Sequence, residues 1–177
     1  MTAFYNRYDD LSTFILGSNR FEMSPVPHVL IPVENRFVLS GETHGAEVQA
    51  EWRATDSWRL SAGYAWLQMN LAEGIDRDSP QHQFNVRSYL NLADNLELNA
   101  AANYASRTKH SNGIVPLTTP SYVKLDVGLT WRPTKSFELS VWGQNLLDDR
   151  HSEFFSFHTP SLIEVPRSVH AKLTFRF

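Results

Sequence analysis

The sequence predicts an all-β fold, an antiparallel meander of about eight long strands from a transmembrane β-barrel. Three observations predict it. Apolar and polar residues alternate with a period of two over runs of about a dozen residues, which gives each run one apolar and one polar face. The connections between runs alternate strictly between long and short, and aromatic residues gather at two heights on the apolar side.

Taken in order, residues 3–16 (AFYNRYDDLSTFIL) alternate loosely and form the first run. Residues 17–33 follow as a long loop, because Pro25, Pro27 and Pro32 cannot donate to a central ladder. The second run, 34–54, places Ala46, Val48, Ala50 and Trp52 on one face and Glu47, Gln49, Glu51 and Arg53 on the other. After the short turn 55–57, Trp58, Leu60, Ala62, Tyr64 and Trp66 continue the apolar face. A loop at 72–79 leads to Phe84, Val86, Leu90 and Leu92, and the turn Ala93-Asp94-Asn95, of turn-favouring residue types, leads to Leu98, Ala100, Ala102 and Tyr104.

A third loop, 108–120, precedes Val123, Leu125, Val127, Leu129 and Trp131, whose opposite face is Lys124, Asp126, Gly128, Thr130 and Arg132. Pro133-Thr134-Lys135 turns this run into Phe137, Leu139 and Val141. The longest loop, 146–165, separates it from a last run in which Val169, Ala171, Leu173, Phe175 and Phe177 oppose Ser168, His170, Lys172, Thr174 and Arg176. An even number of runs puts both chain ends on the short-turn side.

The apolar-face aromatics fall into two belts. Trp52, Trp58, Trp131, Phe137, Phe175 and Phe177 lie beside the short turns, and Tyr64, Trp66, Phe84 and Tyr104 lie toward the long loops. From Trp58 to Trp66, at about 3.3 Å per residue and a tilt near 40°, the belts stand roughly 20 Å apart along a barrel axis. That separation matches a hydrocarbon band with an aromatic girdle at each interface. A soluble sandwich or lipocalin-like barrel would alternate in the same way with its apolar face inward, but it would need neither belts nor unequal loops.

Composition removes other classes. The 177 residues are 42% hydrophobic with a net charge of -3 and no cysteine, so the chain offers no basic surface for nucleic acid and no disulfide or thiolate site. No stretch reaches the roughly 18 apolar residues of a spanning helix, and residues 1–10 lack a signal-peptide layout. A mean hydropathy of -0.34 is what a barrel with one wet face would average. There is no G-x-S-x-G, H-E-x-x-H or phosphate loop, so the chain is not expected to be an enzyme. Asp9-Asp10 and Asp148-Asp149 are not catalytic pairs, because adjacent strand residues face opposite ways; Asp148 turns the chain after Asn145.

Seven histidines are present without metal-ligand spacing, so neither a metal site nor a cofactor is expected. His28, His110, His151 and His158 fall in long loops, His44 and His82 near loop ends, and His170 on the polar face. That face also carries Glu51, Arg53, Arg59, Glu97, Arg132, Glu138 and Arg176 near the short turns, the pattern of a cross-strand ladder of ion pairs.

The ordered series FYNRYDDL, ETHGAEVQAEWRATDSWRLSAGYAWL, SPQHQFNVRSYLNL, YVKLDVGLTWRPTKSFELSVWGQNLLDDRH and RSVHAKLTFRF resembles the TonB-dependent outer-membrane receptors. A G-x-E-x-E type strand matches at Gly45, Glu47 and Glu51, and a W-x-L-x-x-x-Y strand at Trp58, Leu60 and Tyr64. An N-L-x-D element matches at Asn145, Leu146 and Asp148, and an aromatic terminus at Phe177. The resemblance implies a barrel of about 22 strands with a plug in its lumen. These residues would be its C-terminal segment, with the plug and the TonB box absent from them.

It implies an outer-membrane location in a Gram-negative bacterium and uptake of a siderophore, cobalamin or similar scarce solute, to which the segment alone would not be competent. The implied partners are outer-membrane lipid, the barrel-assembly machinery through Phe177, the TonB complex through the plug, and a small ligand such as a ferric siderophore. His28, His110 and His158 become substrate-contact candidates on extracellular loops. Trp52, Trp58, Tyr64, Trp66, Tyr104, Trp131 and Phe175 become the girdle, and the polar face becomes a docking surface for the plug. A second reading is a self-contained eight-stranded barrel that anchors or binds, closed by pairing the first run with the last.

Overall fold

The structure is a computed structural model that describes residues 1–72, 79–111, 116–156 and 161–177. In chain order the strands are β1 (Thr2–Leu16), β2 (Arg20–Glu22), β3 (His28–Leu30), β4 (Val33–Thr55), β5 (Trp58–Leu71), β6 (His82–Ala93) and β7 (Leu96–Ala105). Then come β8 (Thr108–Ser111), β9 (Pro116–Thr119), β10 (Tyr122–Thr134), β11 (Phe137–Gln144), β12 (Arg150–Ser156), β13 (Ser161–Pro166) and β14 (Ser168–Phe175). No helix occurs among the described residues.

Eight of these strands make one antiparallel sheet in the order β1-β4-β5-β6-β7-β10-β11-β14. Every neighbour pair is a hairpin or meander step, so sequence order and spatial order coincide. The two-residue turns fall at Asp56-Ser57, Asp94-Asn95 and Lys135-Ser136. The last differs from the predicted 133–135, because Arg132 N–H still bonds the Asn95 carbonyl at 2.8 Å and β10 runs on through Pro133.

Three of the four long loops are more ordered than their composition suggested. The 17–33 loop holds the β2–β3 hairpin, the 108–120 loop holds β8–β9, and the 146–165 loop holds β12–β13. Prolines sit at the edges of these small ladders, where a missing N–H costs nothing. The fourth loop, 72–79, lies largely outside the described residues. β1 is continuous through a bulge between Tyr8 and Leu11, where Asp10 takes φ 58°, a left-handed conformation that Asp tolerates.

Register unites the apolar residues. Across four strands Val48 faces Tyr64, Tyr64 faces Phe84 and Phe84 faces Tyr104. One level toward the short turns, Ala50, Ala62, Val86, Ala102 and Leu125 form the next row. Further along, Leu129 faces Val141, and Leu139 faces both Trp131 and Leu173. One face of the sheet is therefore apolar from β4 to β14.

That face is not a core. Ala105 is the one buried hydrophobic residue among those described, while Trp52, Trp131, Val141, Leu173 and Phe175 are exposed. A soluble sandwich would have covered them. The sheet is also open, with β1 and β14 as its edges and unpaired with each other. Closure as a small barrel through Tyr5 or Arg7 against Lys172 or Thr174 is thus not realised. Thr2 lies opposite Glu47, well short of the Asp56-Ser57 turn, so the expectation that both ends sit at the short-turn side holds for β14 alone.

Candidate functional site

The polar face is the candidate site. A recess runs along it, lined by Glu47, Gln49, Arg59, Asn85, Arg87 and Tyr89 among others. Two glycines let large side chains lie flat there. The Trp142 ring occupies the space over Gly128, and the Asn85 amide lies over Gly63. The Arg59 guanidinium sits 4.7 Å from the centre of the Tyr89 ring, a cation–π geometry.

Toward the short turns five of the seven residues of the predicted charge ladder pair, while Arg53 stands opposite Arg59. Arg132 Nη1 donates to Glu97 Oε1 at 2.6 Å and Arg132 Nε to Glu138 Oε2 at 2.8 Å, so one cation bridges β7, β10 and β11. Glu51 and Arg59 pair more loosely at 4.0 Å. Glu51 and Arg59 are exposed and the Arg132 trio is part-buried, its Glu138 side chain 18% exposed, so water and salt screen the first pair more than the second group. Replacing Arg132 by Ala leaves Glu97 and Glu138, on the two strands that flank β10, without their shared cation. We expect a small loss of heat stability in detergent, larger at low than at high salt, measured by the unfolding temperature on semi-native gels.

On the apolar face, the aromatics have polar handles where they need them. Trp58 Nε1 donates to Ser88 Oγ at 2.9 Å, and the Tyr64 hydroxyl meets His82 Nδ1 at 2.8 Å. The His44 ring packs edge-on to Trp66, with centroids 5.5 Å apart. Trp52, Trp58, Trp131 and Phe175 lie beside the short turns and Tyr64, Trp66 and Tyr104 toward the other end of their strands. Phe177 follows β14 and is fully exposed.

The loop histidines are not brought together. His28 is in β3, its Nδ1 2.7 Å from the Val26 carbonyl and its Nε2 3.6 Å from Glu22. His110 pairs with Leu117 in the separate β8–β9 hairpin, and His158 lies outside the described residues. Among the described residues no group of three or more His, Cys, Asp or Glu is placed to hold a metal ion.

The histidine that the structure singles out is His151, which sequence reasoning left among the loop residues. Asn145, fully buried with φ 53°, is its neighbour. The Asn145 N–H donates to Asp126 Oδ1 at 2.9 Å on β10, and its Nδ2 donates to the Val165 carbonyl at 3.0 Å on β13. Its Oδ1 lies 3.0 Å from His151 Nδ1, and His151 Nε2 lies 2.8 Å from Glu153 Oε1. The Tyr122 ring stacks on the imidazole at 4.4 Å. The available signal was Asn145 itself, since Asn is one of the few residues that enter the left-handed region readily.

A family model described as the β-barrel of TonB-dependent receptor-like proteins matches residues 1–146. The chain belongs to the TonB-dependent receptor β-barrel family. This is a family of outer-membrane receptors rather than enzymes, and its membrane is the outer membrane of Gram-negative bacteria. This TonB-dependent receptor segment is similar in sequence to an iron-regulated outer membrane virulence protein of Vibrio cholerae, 26% identical over 164 residues. The match covers 84% of this chain and 24% of the relative, so the chain spans about a quarter of that protein's length.

Among solved structures, the ferric-catecholate import receptor Fiu of Escherichia coli superposes with a TM-score of 0.65 at 20% identity, over 92% of this chain and 23% of Fiu. The copper transporter OprC superposes with a TM-score of 0.70 at 15% identity, over 99% of this chain and 29% of OprC. At these identities the likeness is one of fold.

Proposed function

We propose that residues 1–177 form the C-terminal section of the wall of a TonB-dependent importer, and that the whole protein takes up a ferric siderophore or a similar scarce solute. The observation that carries this reading is the two-faced sheet. One side is apolar with almost nothing packed on it, and the other is polar, recessed and rich in hydrogen-bonding groups. In this reading the apolar side meets lipid, with Trp52, Trp58, Trp131 and Phe175 at one interface and Tyr64, Trp66 and Tyr104 at the other, where amphipathic rings are favoured. The polar side lines the lumen and faces the plug, and plug and TonB box are carried by residues other than these. Phe177 is the residue offered to the barrel-assembly machinery, and His28, His110 and His158 ride on the ligand-facing loops.

The iron regulation named for the Vibrio cholerae relative supports an iron-bearing ligand over other scarce solutes. The test is uptake of radio-iron carried by a panel of siderophores, in cells with and without the gene for the full protein. One or more ferric siderophores should enter only when the gene is present, and entry should stop in cells lacking TonB. Gene-dependent uptake of cobalamin or copper, with no response to any ferric siderophore, would overturn the choice of substrate. Uptake that persists without TonB would overturn the energised mechanism.

A further inference from the structure

The buried polar chain at the root of the last hairpin does more than satisfy its own atoms. Asp126, Asn145, His151 and Glu153 connect β10 to the strap that follows β11 and to β12, and the Asn145 amide reaches β13 as well. Because Nδ2 donates to the Val165 carbonyl, Oδ1 is left to accept, so His151 presents a ring N–H to it at Nδ1, and a proton held between Nε2 and Glu153 Oε1 completes the 2.8 Å contact on the other side of the ring. That orientation turns Nε2 toward Glu153. The side chains of His151 and Glu153 are 7% and 15% exposed, so the contact is made away from bulk water. Arg167 closes the base of the same hairpin, its N–H on the Asp149 carbonyl at 2.8 Å and its guanidinium 3.1 Å from the Asp149 carboxylate.

Glu153 is also part of the polar face. It lines a recess with Gln83, Asn85, Asn103, Tyr122 and Lys124, residues of β6, β7 and β10 that point into the lumen in the reading above. A residue of an extracellular hairpin therefore stands within the lumen wall, and it stands there because His151 holds it. We infer that Asn145 and His151 are positioning residues that keep β12–β13 folded inward and so place Glu153 as a contact for the passing ligand. This rests on the lumen reading of the polar face. The hairpin restraint itself does not.

The experiment uses the full-length protein and two variants. Asn145→Gly keeps a residue at home at positive φ while removing the side-chain amide, and His151→Gln cannot bridge Asn145 and Glu153 in the same geometry. Amide hydrogen exchange in β12 and β13 should speed by about tenfold or more in both variants, since two or more buried hydrogen bonds are lost. Exchange in β5, β6 and β7 should stay as in the parent. Half-saturation for the transported ferric siderophore should rise several-fold, with a much smaller change in maximal rate.

Unchanged exchange in the hairpin of a correctly assembled barrel would overturn the inference. If Asn145→Gly does not assemble, His151→Gln decides alone. Faster hairpin exchange with an unaltered half-saturation would confirm the restraint and remove Glu153 from the ligand path. Absence of ferric siderophore uptake by the parent protein would instead sink the proposed function and leave the hairpin result standing.

Discussion

Val86→Arg is expected to lose about 2 to 4 kcal/mol of barrel stability, the cost of a cationic side chain at the bilayer midplane on the lipid face. Val86 belongs to the row Ala50, Ala62, Val86, Ala102 and Leu125, which lies between the two aromatic belts, one row from Phe84 and two from the level of Trp58. An arginine there must bend past the neighbouring row of Tyr64, Phe84 and Tyr104 to bring its guanidinium to water. The matched control is Ser61→Arg, which sits across from Arg87 on the polar face. It adds the same charge in a wet lumen and should cost far less. Folding in lipid vesicles under a urea gradient measures both. Equal costs for the two substitutions, or a larger cost at Ser61, would mean that the assignment of faces is inverted.

The second large effect lies at Gly45. A Cβ built there would lie inside contact distance of the Trp66 carbonyl oxygen and 2.7 Å from the Phe4 ring. The ring can swing aside. The carbonyl cannot, because it belongs to the backbone of the β4–β5 ladder, where Ala46 opposes Trp66. Gly45→Val is therefore expected to destabilise by about 2 to 3 kcal/mol through overpacking and to lower the yield of heat-modifiable barrel. Gly128→Val makes the useful contrast. There the obstruction is the Trp142 side chain, which unlike a ladder carbonyl can turn about its own torsions, so the barrel should form with Trp142 displaced and its fluorescence shifted to the red.

The faces of this sheet were legible in the sequence because a period of two is a local signal. Ala46, Val48, Ala50 and Trp52 announce their face without knowledge of any partner, and the register then joins them to Trp66, Tyr64, Ala62 and Leu60. Strand ends at the short turns were legible to within a residue or two for similar reasons. The hairpins inside the long loops were not. Segments such as His28–Leu30 are three residues long and show no alternation, so their pairing depends on where the large sheet delivers their ends.

The candidate site divides the same way. Glu97, Arg132 and Glu138 could be named as a ladder because neighbouring strands and two-residue turns fix which of them meet. The Asn145 junction could not, since its partners Asp126 and Val165 stand 19 and 20 positions away and meet it only after the meander has folded. The element Asn145, Leu146 and Asp148 marked a place without giving its mechanics. Gly45 was likewise visible as part of a motif, while the Trp66 carbonyl that requires it was not.

The near absence of buried apolar side chains among the described residues sets what substitutions this sheet can absorb over time. In a soluble domain a core position is constrained in size, because rigid neighbours surround it. In the proposed reading the neighbour of Val86, Leu129 or Val141 is a fluid hydrocarbon that reshapes around Val, Ile, Leu or Phe alike. Such positions should drift freely in volume and hardly at all in polarity. Gly45, Gly63 and Gly128, enclosed by backbone or side chains, carry the opposite constraint. A family with this architecture is thus held together by its hydrophobic pattern and a few small residues, and its members can diverge far in identity while keeping one fold.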